Sequence, residues 1–172
     1  MTTTPPPPDI SEVVTTRNVL FVVPCGRNKL DRPAPARELY ASPHFRFALR
    51  QVETQAADVP GSQVRILSAL HGLVEPDTEL EPYDVSMICE NSISATALAV
   101  QLRDLCPATL TIEVAAFLPA VYLAALRAAA RVAAQEGLAA VTVHDAYISA
   151  PGIGYQRRVL ARLTAGVAAR SR

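Results

Sequence analysis

The sequence predicts a single α/β domain with three layers, α/β/α, built on a mostly parallel sheet of about four strands. Short apolar runs alternate with helical segments along the chain, which is the order that parallel strands and crossover helices produce. The runs are continuously apolar, as strands buried on both faces usually are. The length of 172 residues fits one domain, and 50% of these residues are hydrophobic.

The first half of the chain supplies two strands, one helix and a long irregular segment. The run NVLFVVP at 18–24 is apolar and β-branched and ends at proline, which predicts a buried strand. Apolar residues recur at helical spacing over 44–57, just after Ser42, a residue type that commonly caps helices. The run QVRILSAL at 63–70 predicts the second strand. Residues 71–90 follow neither period, and long irregular segments of this kind are often functional.

The second half continues the alternation. Helices are predicted at 92–106 and at 118–137, the latter with a proline in its first turn and an alanine-rich body. Strands are predicted at 108–116 and 138–144. The loop at 149–154 leads into a last helix with an apolar stripe, which completes the α/β order.

The N-terminus and the cysteines narrow the class of protein. Residues 1–16 contain a run of prolines and are predicted to form a disordered arm, which leaves 17–172 as the domain. No apolar run approaches the ~20 residues that span a bilayer, and no secretory signal precedes the domain, so we expect a cytoplasmic protein without membrane contact. The three cysteines form no CxxC pair and no Cys/His metal spacing, which is typical of a reduced cytoplasmic protein, and we assign neither a metal ligand nor a cofactor.

The formal net charge is zero, which argues against strong non-specific DNA binding. The charges are nevertheless uneven, because no acidic residue follows Asp145 whereas Arg157, Arg158 and Arg162 do. Such a run is most often a solvated face, and the alternative interpretation is a basic rim for nucleic acid.

In open parallel sheets, ligands bind beyond the carboxyl ends of the strands, so the loops that follow the strands are the candidate site. The first of these loops holds Cys25, flanked by Arg27 and by Lys29, the only lysine of the chain. Positive charge favours a cysteine thiolate, although Cys25 could equally be an inert packed residue. Lys29 suits a point-charge contact with a phosphate or carboxylate. Arg37 could contact the same ligand or pair with its neighbour Glu38.

The second loop places a titratable ring at a strand end. His71 is followed by a flexible glycine, which suits proton transfer or ligand contact, although a lone histidine is more often structural. Further along, Glu81, Tyr83 and Asp84 could supply a general base or contacts to a ribose or a base edge.

The last loop, PGIGYQRR, places Gly152 and Gly154 before a helix, where backbone N–H groups can hold an anion. It lacks the full dinucleotide fingerprint. The chain also contains no GxxxxGK[ST], HExxH or GxSxG, so P-loop, zincin and α/β-hydrolase chemistry have no support.

Four blocks, P-C-x-x-x-K, PARELY, LSALHGLVEPDTELEPYD and GIG-x-Q, occur in this order over roughly residues 20–160. In this combination the chain resembles a bacterial and phage domain family of unassigned function. That family is similar to the YaaA peroxide-stress proteins, to the lyase-type domain of archaeosine synthases and, distantly, to uracil-DNA-glycosylase-like folds. The resemblance implies a nucleobase- or nucleotide-handling site. Besides the positions above, it adds Tyr40, Ser68 and Gln156 as binding residues.

The function expected from these residues is cleavage of an N-glycosidic bond, in DNA or in a free nucleotide. His71 or Asp84 would position water or stabilise the sugar cation, while Lys29 would hold phosphate. Tyr40 or Tyr83 would stack on the base. Two alternatives stay open: a non-catalytic nucleic-acid or nucleotide binding module, and an enzyme or redox sensor that depends on Cys25.

Overall fold

A computed structural model of the chain describes residues 19–105, 111–150 and 152–170. The described helices and strands are, in chain order, β1 (Val19–Pro24), β2 (Ala34–Pro35), α1 (Ala36–Leu39), α2 (Pro43–Ala57), β3 (Gln63–Ser68), β4 (Gly72–Val74), β5 (Glu79–Leu80), α3 (Ala95–Leu105), β6 (Ile112–Ala116), α4 (Ala120–Gln135), β7 (Val141–Asp145) and α5 (Ile153–Arg170).

The central sheet has five strands in the order β4-β3-β1-β6-β7. Parallel pairing joins β1 to β3 and to β6, and joins β6 to β7, whereas β4 runs antiparallel to β3. Since β1 lies in the middle, both of its edges are paired, and its run of apolar side chains is buried on both faces. The predicted α/β fold with a mostly parallel sheet is confirmed.

Helices cover both faces of this sheet, which gives the predicted three layers. On one face Val19, Phe21 and Val23 of β1 join a core with residues of α2 and α5. On the other face Leu20 and Val22 join a core with residues of α3 and α4. Each fully buried side chain of this size contributes roughly 1.5–3 kcal/mol, so the alternation along β1 stabilises both layers.

Helix starts follow the residues that the sequence provides. The Ser42 hydroxyl accepts a hydrogen bond from Phe45 N at 3.1 Å, and Pro43 is the first residue of α2. The residue before α4 is Pro119, with an extended backbone that ends the preceding loop. Because α2, α4 and α5 follow parallel strands, their N-termini lie at the carboxyl edge of the sheet.

The segment 71–90, predicted to be irregular, contains two short strands. β4 extends the sheet as an antiparallel edge strand, and β5 pairs with β2, so that Ala34 lies opposite Leu80. The predicted arm at 1–16 and the end of the predicted helix at Cys106 lie outside the described residues. None of the described helices has the length and apolar character that crossing a membrane requires.

Candidate functional site

The site lies where the chain connections diverge at the carboxyl edge of the sheet. From β1 the chain passes through α2 to β3 on one side, and from β6 it passes through α4 to β7 on the other. The carboxyl ends of β1 and β6 therefore flank the topological switch point, the usual ligand position in open α/β sheets. Cys25 directly follows β1, and Tyr122 lies in the first turn of α4. The Cys25 Sγ and Tyr122 hydroxyl are 3.3 Å apart across this point.

The loop after β1 folds back on the segment that precedes α2. Lys29 and Tyr40 form an isolated antiparallel bridge, and Leu30 N donates to Leu39 O at 2.9 Å. Gly26 is buried beneath this bridge, and a Cβ there would lie 3.1 Å from the Tyr40 Cβ. A side chain at position 26 would therefore require Tyr40 to shift by a few tenths of an ångström. This close packing places the Lys29 ammonium 4.3 Å from the centre of the Tyr83 ring, a cation–π contact.

Three hydroxyl groups meet beneath Lys29. The Tyr83 hydroxyl lies 2.7 Å from the Tyr40 hydroxyl and 2.7 Å from the Ser68 hydroxyl. Tyr40 and Ser68 are both fully buried, whereas Tyr83 is partly exposed. The buried pair thus holds the Tyr83 oxygen in a fixed position.

Ser68 also shapes the turn that carries His71. Its hydroxyl oxygen accepts hydrogen bonds from Leu70 N at 3.2 Å and from His71 N at 3.0 Å. The His71 ring then meets the Tyr83 ring edge to face, with centroids 5.2 Å apart. The ring is partly exposed, but its Nε2 is buried and has no hydrogen-bond partner among the described residues.

A glutamine from α3 clamps the other side of this turn. Gln101 Nε2 donates to His71 O at 2.9 Å, and Gln101 Oε1 accepts from Leu73 N at 2.8 Å. Gly72 has φ +73°, and a Cβ at this position would lie 2.1 Å from Gln101 Oε1. Glycine suits this position because of its backbone conformation, and a Cβ here would displace the end of the Gln101 side chain from its two hydrogen bonds.

Burial sets the protonation states of these groups. Desolvation lowers the pKa of His71, which favours the neutral ring at neutral pH. Burial raises the pKa of Tyr40 to about 12, against its hydrogen bonds with Tyr83 and Ser68, which lower it. The pKa of Tyr83 is raised mainly by burial and, to a smaller extent, by electrostatic interaction with Cys25. Burial is also the main cause that raises the pKa of Tyr122. At neutral pH the phenols stay protonated.

We refer to these side chains together as the edge cluster: Cys25, Lys29, Tyr40, Ser68, His71, Tyr83 and Tyr122. The first six are among the predicted site residues, and strands that are distant in the sequence bring them together. Tyr122 was not predicted as a site residue. The available signal was a tyrosine in the first helical turn after the third parallel strand.

Four predicted residues of the first two loops lie outside the edge cluster. Arg37 is engaged elsewhere, since its guanidinium pairs with Asp77 at 2.6 Å and with Glu53 at 3.0 Å rather than with Glu38. Arg27, Glu81 and Asp84 are exposed. Among the described residues, Asp84 has no hydrogen bond or ion pair, although it directly follows Tyr83 in the chain.

The predicted anion loop and basic rim lie at the start of α5. A Cβ at Gly152 or at Gly154 would meet no atom within 4 Å, so space does not require glycine at either position. Gln156 N donates to Gly152 O at 3.0 Å and closes the first turn. Arg157, Arg158 and Arg162 are exposed, as a solvated face or a binding rim would be. Leu160 of α5 is buried in the same hydrophobic core as Tyr40.

One predicted role requires correction. The Tyr40 ring has 0% exposure and packs edge to face on Phe45, with centroids 5.2 Å apart. A ring without exposed surface cannot stack on a bound base, so the prediction that Tyr40 stacks is wrong. Its contribution is the hydroxyl group that contacts Tyr83.

Within the described part of the chain, no group of three or more His, Cys, Asp or Glu side chains is arranged to hold a metal ion. Comparison with protein families finds a match. The family model described as "Family of unknown function (DUF6884)" matches residues 20–145, which contain the whole edge cluster. No curated protein and no solved structure matches the chain significantly.

Proposed function

The chain belongs to the family of unknown function DUF6884, and we propose that it is an enzyme that cleaves the N-glycosidic bond of a nucleotide or of a base in DNA. The observation that supports this most is the convergence of Lys29, His71 and Tyr83 beside the switch point of the sheet. The cluster combines a cation, a neutral imidazole and protonated phenols. These groups suit a ligand that carries both an anionic group and a planar polar ring.

The roles follow from the chemistry of the bond. When the bond breaks, its electron pair leaves with the base nitrogen, and a water oxygen bonds to the sugar carbon. Lys29 would hold the phosphate as a point charge. His71, neutral because burial lowers its pKa, could accept a proton from the attacking water. Asp84, exposed at the margin of the cluster, is the second candidate for positioning that water.

Tyr83 is better suited to contact the edge of the base than its face. Lys29 lies over the Tyr83 ring at 4.3 Å, and the His71 ring packs against it edge to face. These two contacts leave little of the ring free for stacking. The hydroxyl group is therefore the part of Tyr83 that we assign to the substrate.

The test is a base-release assay with the full chain. Nucleoside monophosphates and single- and double-stranded oligonucleotides, with plain and modified bases, are incubated with the protein, and released base is measured by mass spectrometry. We expect release from at least one substrate class, and a loss of at least 100-fold when His71→Ala and Asp84→Asn are combined. The matched control combines His144→Ala and Asp58→Asn, neither of which contacts the edge cluster. Release that survives the first pair of substitutions would refute these roles.

A binding module without catalysis is the second candidate, because one observation favours it. Arg158 lies 5.5 Å from the Tyr155 ring centre, and both residues are exposed beside Arg157 on α5. Exposed arginines next to an aromatic ring are typical of single-stranded nucleic-acid contacts. This candidate predicts affinity that falls steeply with salt and depends on these arginines. Affinity that is insensitive to salt would exclude it.

A further inference from the structure

The hydrogen-bond pattern around Ser68 fixes where its proton lies. A serine hydroxyl has one proton to donate and two lone pairs that accept. Both acceptor positions are used by the N–H groups of Leu70 and His71. The remaining neighbour of the Ser68 oxygen is the Tyr83 hydroxyl at 2.7 Å. Ser68 therefore donates its proton to the Tyr83 oxygen.

Tyr40 is constrained in the same way. Its side chain is fully buried, and its hydroxyl lies 2.7 Å from that of Tyr83. Its other hydrogen-bond neighbour, Ser68, has no acceptor position left for the Tyr40 proton. If Tyr83 donated to Tyr40, the Tyr40 proton would be a buried donor without an acceptor, which native proteins avoid. If Tyr40 donates to Tyr83, every buried proton of the group has a partner.

We propose that the Tyr83 oxygen accepts two hydrogen bonds, from Ser68 and from Tyr40, and that its own proton is directed out of this group as a donor to the ligand. This inference rests on the proposed function for the nature of the ligand, and it makes Tyr83 a catalytic residue in that reaction. The ligand atom that faces Tyr83 is then an acceptor, and we assign it to the keto oxygen at the 4-position of a pyrimidine or the 6-position of a purine.

This arrangement suits charge that develops on a departing base. A donor that is already oriented by Ser68 and Tyr40 stabilises a negative ring without reorganising during the reaction. Burial also raises the pKa of Tyr83, so the proton stays on the phenol at neutral pH. Tyr83 therefore stabilises by hydrogen bonding, and no proton transfer from it is needed.

The proposal also predicts base selectivity. A keto group facing Tyr83 would accept its proton, whereas an amino group would oppose donor to donor. Among uridine and cytidine monophosphates, or inosine and adenosine monophosphates, the keto member should therefore be favoured at least 10-fold in base release. Tyr83→Phe should reduce that ratio below 3-fold. Tyr40→Phe, which removes one of the two hydrogen bonds that orient the outward proton, should reduce the ratio less than Tyr83→Phe does.

Neutron diffraction of the deuterated full chain without ligand tests the proton positions directly. We expect deuterium on the lines from Ser68 Oγ and from Tyr40 Oη to Tyr83 Oη, and a Tyr83 deuterium that points toward neither. A Tyr83 deuterium on the line to Ser68 or to Tyr40 would overturn the inference. This measurement needs no substrate. A failed base-release assay would therefore refute the proposed function, whereas the neutron data alone decide the proton arrangement.

Discussion

Gly72→Ala is expected to destabilise the protein more than an ordinary glycine substitution does. Gly72 has φ +73°, and an L-residue in this left-handed region costs about 1–2 kcal/mol. The new Cβ would also displace Gln101, whose oxygen lies 2.1 Å from the position it would take. Displacement breaks two hydrogen bonds to the His71 turn, each with a net contribution of about 0.5–1.5 kcal/mol. The sum is roughly 2–5 kcal/mol.

The matched control is Gly137→Ala. Gly137 has a similar φ of +65°, but a Cβ there meets no atom within 4 Å. This variant should therefore show only the backbone cost of about 1–2 kcal/mol. The difference between the two variants isolates the contact with Gln101.

A third variant tests whether the two costs are coupled. Gln101→Ala alone removes both hydrogen bonds and should cost about 1–3 kcal/mol. In Gly72→Ala combined with Gln101→Ala, those bonds are lost only once. The double variant should thus be about as stable as Gly72→Ala alone, within roughly 1 kcal/mol, rather than the sum of both.

Urea unfolding followed by circular dichroism measures these free energies, and the chain has no tryptophan for a fluorescence assay. Equal destabilisation by Gly72→Ala and Gly137→Ala would refute the packing of Gln101 against Gly72. Strict additivity in the double variant would refute the shared hydrogen bonds. Either result would mean that Gln101 does not hold the His71 turn in place.

Three further predictions concern the titratable groups. The Ser86 hydroxyl lies 3.2 Å from Cys89 Sγ and lowers the pKa of that thiol. Iodoacetamide should therefore label Cys89 several-fold faster than Cys25 at neutral pH, and Ser86→Ala should slow the labelling of Cys89. Faster labelling of Cys25 would instead favour chemistry at that cysteine. Burial lowers the pKa of His71 below its unfolded value, so the neutral ring contributes stability above about pH 6.5, and this stability is lost as the pH falls below that value. His71→Gln should therefore flatten the slope of the unfolding free energy with pH. An unchanged slope would contradict the lowered pKa. Burial raises the pKa of Tyr40 to about 12, so the stability that its neutral form contributes is present below about pH 10 and is lost between pH 10 and 12. Since Tyr40 does not ionise below pH 11, Tyr40→Phe should leave the tyrosinate absorbance change in that range unaltered. A reduced absorbance change would refute the effect of burial on Tyr40.

The order of helices and parallel strands was predictable because it depends on local patterns. The run at 18–24 needed only its own apolar residues to be recognised as a buried strand, which is β1. The strands β4 and β5 have three and two residues, which is too short for any period to appear. Their pairing with β3 and β2 comes from tertiary contacts that the local sequence does not contain.

The candidate site was predictable where a residue directly follows a strand. Cys25, Ser68 and His71 lie at strand ends, and the rule for parallel sheets brings such residues to one edge. The contact between Cys25 and Tyr122 joins residues 97 positions apart and depends on how α4 begins. Arg37 was misleading for the same reason, since its partner Asp77 lies 40 positions away.

The central claim is that Lys29, His71 and Tyr83 form one nucleotide site, and the single lysine of the chain allows a direct test. An amine-specific reagent labels Lys29 as the only lysine side chain, and peptide mass spectrometry separates this label from that on the N-terminal amine. We predict that the nucleotide or oligonucleotide that the protein binds reduces Lys29 labelling at least 5-fold, while labelling of the N-terminal amine serves as the internal control. Lys29 labelling that is unchanged by saturating nucleoside monophosphates and by single- and double-stranded oligonucleotides would contradict the claim.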